Sequence, residues 1–153
     1  MELDYYSPAE GVAITSDRTS LDRLADLMAS GGELNLGQPA QPRHLRGVLV
    51  VPADGTVAIG VDERGYLTVR GGAECRSVLA DLLRDVAAMD DGGHVHLEYV
   101  EGHEFLAPHS VPLILTSPHG GMPRRRPSNR HEGDEPTETD RQRSVTRMPA
   151  WAL

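Results

Sequence analysis

A histidine-rich stretch in the second half of the chain holds the residues whose types and spacing could do chemistry. His94, His96 and Glu98 alternate with apolar residues, so on a β-strand their side chains would share one face, about 6 to 7 Å apart along the backbone. Two imidazoles so placed can bind zinc, and either Glu98 or His103 could complete the site. A small metal-dependent enzyme or metal-binding protein using His94, His96, Glu98 and His103 is therefore one interpretation.

The same alternation also fits a strand with no chemical role. Val95, Leu97 and Tyr99 occupy the intervening positions, which is the pattern of a strand that buries one face and exposes the other. A lone His-x-His lacks the further spaced ligands that make a zinc motif specific. We therefore favour the exposed strand face over a metal site and predict no cofactor.

The other reactive side chains do not indicate catalysis. Glu104 and His109 fall in a predicted loop, Glu101 to Ser110, where charged groups are usually solvated. Cys75 is the single cysteine and lies on the apolar stripe of a predicted helix, where a thiol behaves as a small hydrophobe. The sequence therefore favours a protein without enzymatic activity.

Two helices and about five to six strands are expected to position these residues. Apolar spacing predicts a first helix from Ser20, its expected cap, to Gly31, and a second helix after Gly72 that ends at residues 90–93. Short turn-rich spacers predict that the three central strands form an antiparallel meander. The expected fold is α+β, an antiparallel sheet with the two helices packed on one face. The clear strand patterns cover residues 45–51, 56–61, 66–70, 94–100 and 111–115, and residues 11–15 and 33–36 are candidates for further short strands.

The composition changes near residue 118. We expect residues 1–118 to form a single α+β domain, and residues 119–153, rich in Arg, Pro and Glu, to form a disordered tail, because they carry too few large aliphatic side chains to offset the entropy of ordering. The tail holds the single Trp, Trp151. An adaptor that recruits a partner through Trp151 is a further interpretation.

The charge is concentrated in the predicted domain. Residues 1–123 hold 18 acidic residues against eight Arg, a net charge of −10, whereas residues 124–153 carry +2. Such a negative field repels nucleic acid and anionic membranes and speeds encounter with a basic protein. The expected contacts are acidic residues at exposed ends of elements: Asp62, Glu63, Asp90, Asp91, Glu98, Glu101 and Glu104.

Three observations predict the cellular compartment of the protein. The first residues are acidic where a secretory signal would be basic, no apolar run is long enough to span a bilayer, and a lone Cys75 suits a reducing environment. These features predict a cytoplasmic protein whose partner is neither nucleic acid nor membrane.

Three runs of sequence resemble a known family. GHVHLEY at residues 93–99, GHEFLAP at 102–108 and SVPLI at 110–114 resemble the immunity protein 32 family of bacterial polymorphic toxin systems. The resemblance covers roughly residues 11–118. It implies a small cytoplasmic protein that binds and neutralises a toxin, usually one encoded beside it, and it assigns no functional residues. Our leading prediction is thus a non-enzymatic protein-binding module, an immunity protein with a basic toxin domain as its partner.

Overall fold

The computed structural model describes residues 1–90 and 92–120. The helices and strands follow one another along the chain as two β-strands, a helix, four strands, a second helix and two strands. Their bounds are β1 Glu2–Ser7, β2 Gly11–Thr15, α1 Arg18–Ser30, β3 Gly32–Asn35, β4 Gly47–Pro52, β5 Ala58–Val61, β6 Tyr66–Gly71, α2 Ala73–Ala87, β7 His94–Leu97 and β8 Leu113–Thr116.

Helix α1 confirms the first predicted helix, with a different cap. The Asp17 carboxylate accepts a hydrogen bond from the Ser20 N–H at 2.9 Å, which satisfies a donor that the helix itself leaves without a partner. Asp17, and not Ser20, is therefore the N-cap. The helix ends at Gly31, whose φ of 79° favours glycine and whose N–H donates to the Leu27 carbonyl at 2.8 Å.

Helix α2 confirms the second predicted helix. Leu79, Leu83 and Val86 recur at helical spacing and are buried, so this face packs into the core. α2 also packs against α1, and across that contact Arg84 donates to the Asp26 carboxylate at 3.0 Å. The two helices therefore form one layer.

The strands form two sheets, and the prediction of a single antiparallel sheet of five to six strands is wrong. Sheet A has the order β1-β2-β8-β7 and sheet B the order β3-β4-β6-β5. In each sheet the inner pair, β2 with β8 or β4 with β6, is parallel, and the outer pairs are antiparallel. Both sheets are thus mixed, while the α+β class is confirmed.

The predicted meander fails at one step. β5 and β6 form the expected antiparallel hairpin, but β4 pairs with β6 in parallel, with Val48 beside Leu67. β6 therefore lies between β4 and β5. A short spacer permits a hairpin but does not require one, because two strands close in sequence need not be neighbours in the sheet.

The chain contains a topological repeat that its residues do not reveal. β1, β2, α1, β3 and β4 form a first ββαββ unit, and β5, β6, α2, β7 and β8 form a second. Exchanging the two units converts the strand order of sheet A into that of sheet B. Each sheet therefore combines one hairpin from each unit.

Hydrogen bonds outside the named pairs link the two sheets. Tyr5 N–H donates to the Arg43 carbonyl at 2.9 Å, which joins β1 to the segment that enters β4. Val57 N–H donates to the Phe105 carbonyl at 2.7 Å, which joins the start of β5 to the segment leading towards β8. Buried apolar side chains from both sheets and both helices form one core cluster.

The ends of the described chain differ from the prediction in two ways. β1 lies before residue 11, where the sequence patterns predicted no strand. Gly120, placed in the tail by composition, accepts a hydrogen bond from the Gly93 N–H at 2.8 Å. Residues 121–153 of the predicted disordered tail, which include Trp151, lie outside the described residues. Neither α1 nor α2 is long and apolar enough to cross a membrane.

Candidate functional site

The outer face of sheet A is the surface that this sheet turns away from the core. Val12 and Ile14 point inward and are fully buried, so Ala13 and Thr15 point outward. The strand register then gives two rows of side chains across this face. One row contains Asp4, Ala13, Ile114 and His96, and the next contains Glu2, Thr15, Thr116 and His94.

A hollow of about 420 Å³ opens at one end of this face. Its partly buried members, Pro112 and Ile114, are apolar, whereas Glu10 and Glu98 are exposed. We call it the Tyr6 hollow because the Tyr6 ring, 46% exposed, forms part of its wall. Its full lining is Tyr6, Ala9, Glu10, His96, Glu98, Pro112 and Ile114.

Two contacts orient the polar groups beside the hollow. The Ser7 hydroxyl donates to the Glu10 carboxylate at 2.9 Å, and the Glu10 N–H donates back to the Ser7 Oγ at 3.1 Å. The guanidinium of Arg43 lies 5.3 Å from the centre of the Tyr6 ring, a distance at which a cation is attracted to the ring face. The hollow therefore combines fixed carboxylate and aromatic groups.

The outer face of sheet A is more acidic than its counterpart on sheet B. When the two ββαββ units are exchanged, the strand registers make three positions near sheet B equivalent to acidic positions near sheet A. Ala58 corresponds to Glu2, Gly60 to Asp4 and Asn35 to Glu98. The sheet B face carries Glu33 and Arg70, whose charges oppose each other. Two surfaces of the same topology thus differ in net charge.

The structure disperses the six described members of the seven acidic residues that the sequence predicted as partner contacts. Glu98 lies in the Tyr6 hollow, and Glu101 and Glu104 follow it as exposed loop residues. Asp62 and Glu63 lie in the turn after β5, whereas Glu104 precedes the residue that pairs with Val57. The five steps from Val57 to Asp62 along an extended chain span about 16 Å, so these groups lie at opposite ends of β5.

Asp90 and Asp91 follow α2. Asp90 is exposed, and Asp91 lies outside the described residues. Of the two contacts predicted after α2, the structure therefore describes Asp90 alone.

Asp62 has a role within its own turn. Its carboxylate accepts hydrogen bonds from the Tyr66 N–H at 2.9 Å and the Arg64 N–H at 3.0 Å. Burial acts to raise the pKa of this carboxyl, but the bonds from Tyr66 and Arg64 hold the pKa below its ordinary value overall. Glu63, which is exposed, is the member of this pair that faces solvent.

The four candidate metal ligands do not converge. The rings of His94 and His96 meet edge to face with centres 4.8 Å apart. His103 instead turns into its loop, where Nδ1 accepts hydrogen bonds from the N–H groups of Phe105 and Leu106 at 3.3 and 3.1 Å. Among residues 1–90 and 92–120, no three His, Cys, Asp or Glu side chains form a group that could hold a metal ion.

Sequence reasoning missed the contribution of the first strand to this surface. Glu2, Asp4, Tyr6 and Glu10 belong to β1 or to the turn that follows it, a segment for which no strand was predicted. The sequence feature that indicates this strand is the alternation of polar and apolar residues: Leu3, which is buried, lies between Glu2 and Asp4.

Comparison with known proteins supports the family resemblance. The family model of immunity protein 32 matches residues 66–118, which confirms the resemblance over that segment. The match runs from β6 through α2 to the residues just after β8, and so covers the second ββαββ unit without β5. It includes His96 and Glu98 of the Tyr6 hollow. No curated protein and no solved structure matches the chain.

Proposed function

We propose that this protein is an immunity protein that binds a bacterial toxin and neutralises it without catalysing a reaction. The observation that carries the proposal is the match of the immunity protein 32 family model to residues 66–118. That segment supplies β7 and β8 of sheet A and β6 of sheet B, so it contributes to both sheets. Because the proposed neutralisation involves no catalysis, it requires a surface of this protein that is complementary to the toxin.

The charge of the protein favours a basic toxin domain as the partner. The net charge of −10 over residues 1–123 attracts a cationic protein over distances limited by salt, about 8 Å at physiological ionic strength. Opposite potentials raise the rate of encounter more than they lengthen the life of the complex. A toxin that itself binds nucleic acid would carry the required positive surface.

Co-expression tests the immunity role directly. The toxin domain encoded beside this chain should arrest growth of a sensitive host when expressed alone, and co-expression of the full chain should restore growth. The two proteins should then co-purify as a stoichiometric complex. Absence of any complex, at every ionic strength tried, would refute the proposal.

Salt provides a test of the basic partner. We expect the association rate constant to fall about tenfold or more between 50 and 500 mM NaCl, because screening removes the long-range attraction. The dissociation rate constant should change less, since close contacts are screened less. Stopped-flow mixing of the two proteins measures both, and an association rate independent of salt would contradict the basic character of the partner.

A further inference from the structure

We infer that the toxin docks on the outer face of sheet A and inserts an arginine or lysine side chain into the Tyr6 hollow. This inference rests on the proposed function, because it names the surface through which neutralisation would occur. It also names the partner chemistry: a basic surface segment with one cationic side chain that projects from it.

The first support is that no helix or strand among residues 1–90 and 92–120 covers this sheet face. The side chains that fill the core come from the other face of sheet A, and the buried residues of α1 and α2 belong to that same core. On the outer face, Thr15, His94 and His96 are exposed, and Ala13 and Ile114 are partly exposed. A four-stranded sheet is a rigid platform, which limits the entropy lost when a partner binds.

The second support is the composition of the hollow. Carboxylates at Glu10 and Glu98 can pair with a guanidinium or an ammonium, and apolar surface at Pro112 and Ile114 can contact the aliphatic part of an Arg or Lys side chain. The volume of about 420 Å³ falls within the range of small-ligand pockets. An exposed Tyr beside such a pocket is a residue type enriched among the strongest contacts at interfaces.

The third support is the position of Arg43. Its guanidinium already lies 5.3 Å from the centre of the Tyr6 ring, so this ring accepts a cationic group from the chain itself. An incoming arginine or lysine would replace Arg43 at this ring, because two cationic groups at one ring repel each other. The contact between Arg43 and Tyr6 is thus of the same type as the contact that a cationic side chain of the partner would make with this ring.

The fourth support is the charge difference between the two equivalent faces. Glu2, Asp4 and Glu98 on sheet A correspond to Ala58, Gly60 and Asn35 on sheet B. The fold alone therefore does not require carboxylates at these positions. Asp4 has a partner within the chain, since its carboxylate lies 3.3 Å from His44 Nε2. Charge complementarity with a basic partner accounts for the other two, Glu2 and Glu98.

Substitutions in the full chain test the surface. E10Q/E98Q removes two carboxylates of the hollow, and A9W fills the hollow at an exposed position without changing charge. We expect each to weaken binding of the toxin domain, measured by calorimetry, by about tenfold or more. The matched controls on sheet B are E33Q and A58W, both at exposed positions, which should change the dissociation constant by less than about twofold.

The outcomes separate the two proposals. Normal binding by both E10Q/E98Q and A9W would overturn the docking surface and leave the immunity role standing. Equal weakening by E33Q and A58W would also overturn it, since the effect would then not be specific to this face. Failure of the wild-type chain to bind at any ionic strength would instead refute the proposed function. Circular dichroism melting of each variant establishes that the variants compared are folded.

Discussion

At the scale of single residues, Arg76 explains how the ends of the two helices are joined. It is 5% exposed and donates through Nη1 to the carbonyls of Met28 and Ala29 at 2.8 and 3.0 Å, and through Nε to the Gly71 carbonyl at 3.0 Å. Met28 and Ala29 lie in the last turn of α1, whose carbonyls lack helical partners and favour a cation. Arg76 of α2 thus closes the end of α1.

Replacing Arg76 should therefore destabilise the protein strongly. We expect R76M to lower the free energy of unfolding by about 3 kcal/mol, because it removes three hydrogen bonds from a charged donor and leaves carbonyls buried without partners. R76K, which keeps the charge and part of the bonding, should fall between R76M and the wild type. Urea unfolding followed by circular dichroism measures the difference.

Arg70 provides the control for Arg76. It is an exposed residue of β6, and R70M should change stability by no more than about 0.5 kcal/mol. Wild-type stability in R76M would show that the buried guanidinium does not support α1.

Sequence reasoning could not identify Arg76. The spacing of Leu79 and Leu83 predicts the buried face of α2, but a charged residue before them reads as part of the solvated face. Its burial depends on carbonyls of Met28 and Ala29, about 50 residues away along the chain. Such a partner is visible only in the folded protein.

At the scale of elements, the cap of α1 gives a pH-dependent prediction. The backbone N–H and the hydroxyl of Ser20 donate to the Asp17 carboxylate and hold its pKa below the ordinary value of 3.8. A depressed folded-state pKa contributes stability above the unfolded value, and that stability is lost as the pH falls through the folded value.

D17A should accordingly lower the melting temperature at pH 7. The difference from the wild type should narrow as the pH falls below about 4, because the wild-type carboxyl then becomes protonated too. D17S is the matched control, since serine caps a helix well but does not titrate, so its stability should depend less on acid than that of the wild type. An unchanged D17A difference from pH 7 to pH 2.5 would contradict the assignment.

The start of β2 gives a second prediction at this scale. Gly11 has a φ of 85°, and a Cβ added there would lie 2.0 Å from the Pro112 carbonyl oxygen. That oxygen accepts the Val12 N–H at 2.9 Å. G11A should therefore strain the backbone and also separate β2 from β8.

Gly102 separates these two effects. It has a φ of 80° but no atom within 4 Å of an added Cβ, so G102A should carry only the conformational strain, about 1 kcal/mol. We expect G11A to lose clearly more stability than G102A in urea titrations. Equal losses would show that the close approach of β2 to Pro112 is unimportant.

The helices and most strands were predictable from local patterns, but the partners of the strands were not. The position of Gly31 after the last apolar residue correctly predicted the end of α1, whereas its cap was assigned to Ser20 instead of Asp17. The pairing of Val12 with Leu113 joins residues about 100 positions apart, and nothing near either residue specifies the other. The Tyr6 hollow depends on this pairing, because it combines β1, β7 and β8, so it was equally beyond local reasoning.

At the scale of the whole molecule, the exchange of hairpins makes each ββαββ unit depend on the other. β6 needs β4 as its parallel partner, and β8 needs β2. A fragment of residues 58–120 would keep two hairpins without those partners, and an isolated hairpin is marginal in water. We expect this fragment to lack a cooperative monomeric fold.

Mixing the fragments tests that dependence. The 58–120 fragment should regain the circular dichroism spectrum of the folded chain when residues 1–57 are added, and analytical ultracentrifugation should show one copy of each. A monomeric 58–120 fragment that unfolds cooperatively on its own would contradict the expectation.

The parallel pair at the centre of sheet A also has a consequence during translation. β2 can pair with β8 only after residues 113–116 have been synthesised. The ribosome must therefore complete nearly the whole described chain before sheet A and its acidic outer face can form. Contacts between such distant segments slow folding. Under the immunity role proposed above, the chain can bind its toxin through this face only after the last strand, β8, has been synthesised and has paired.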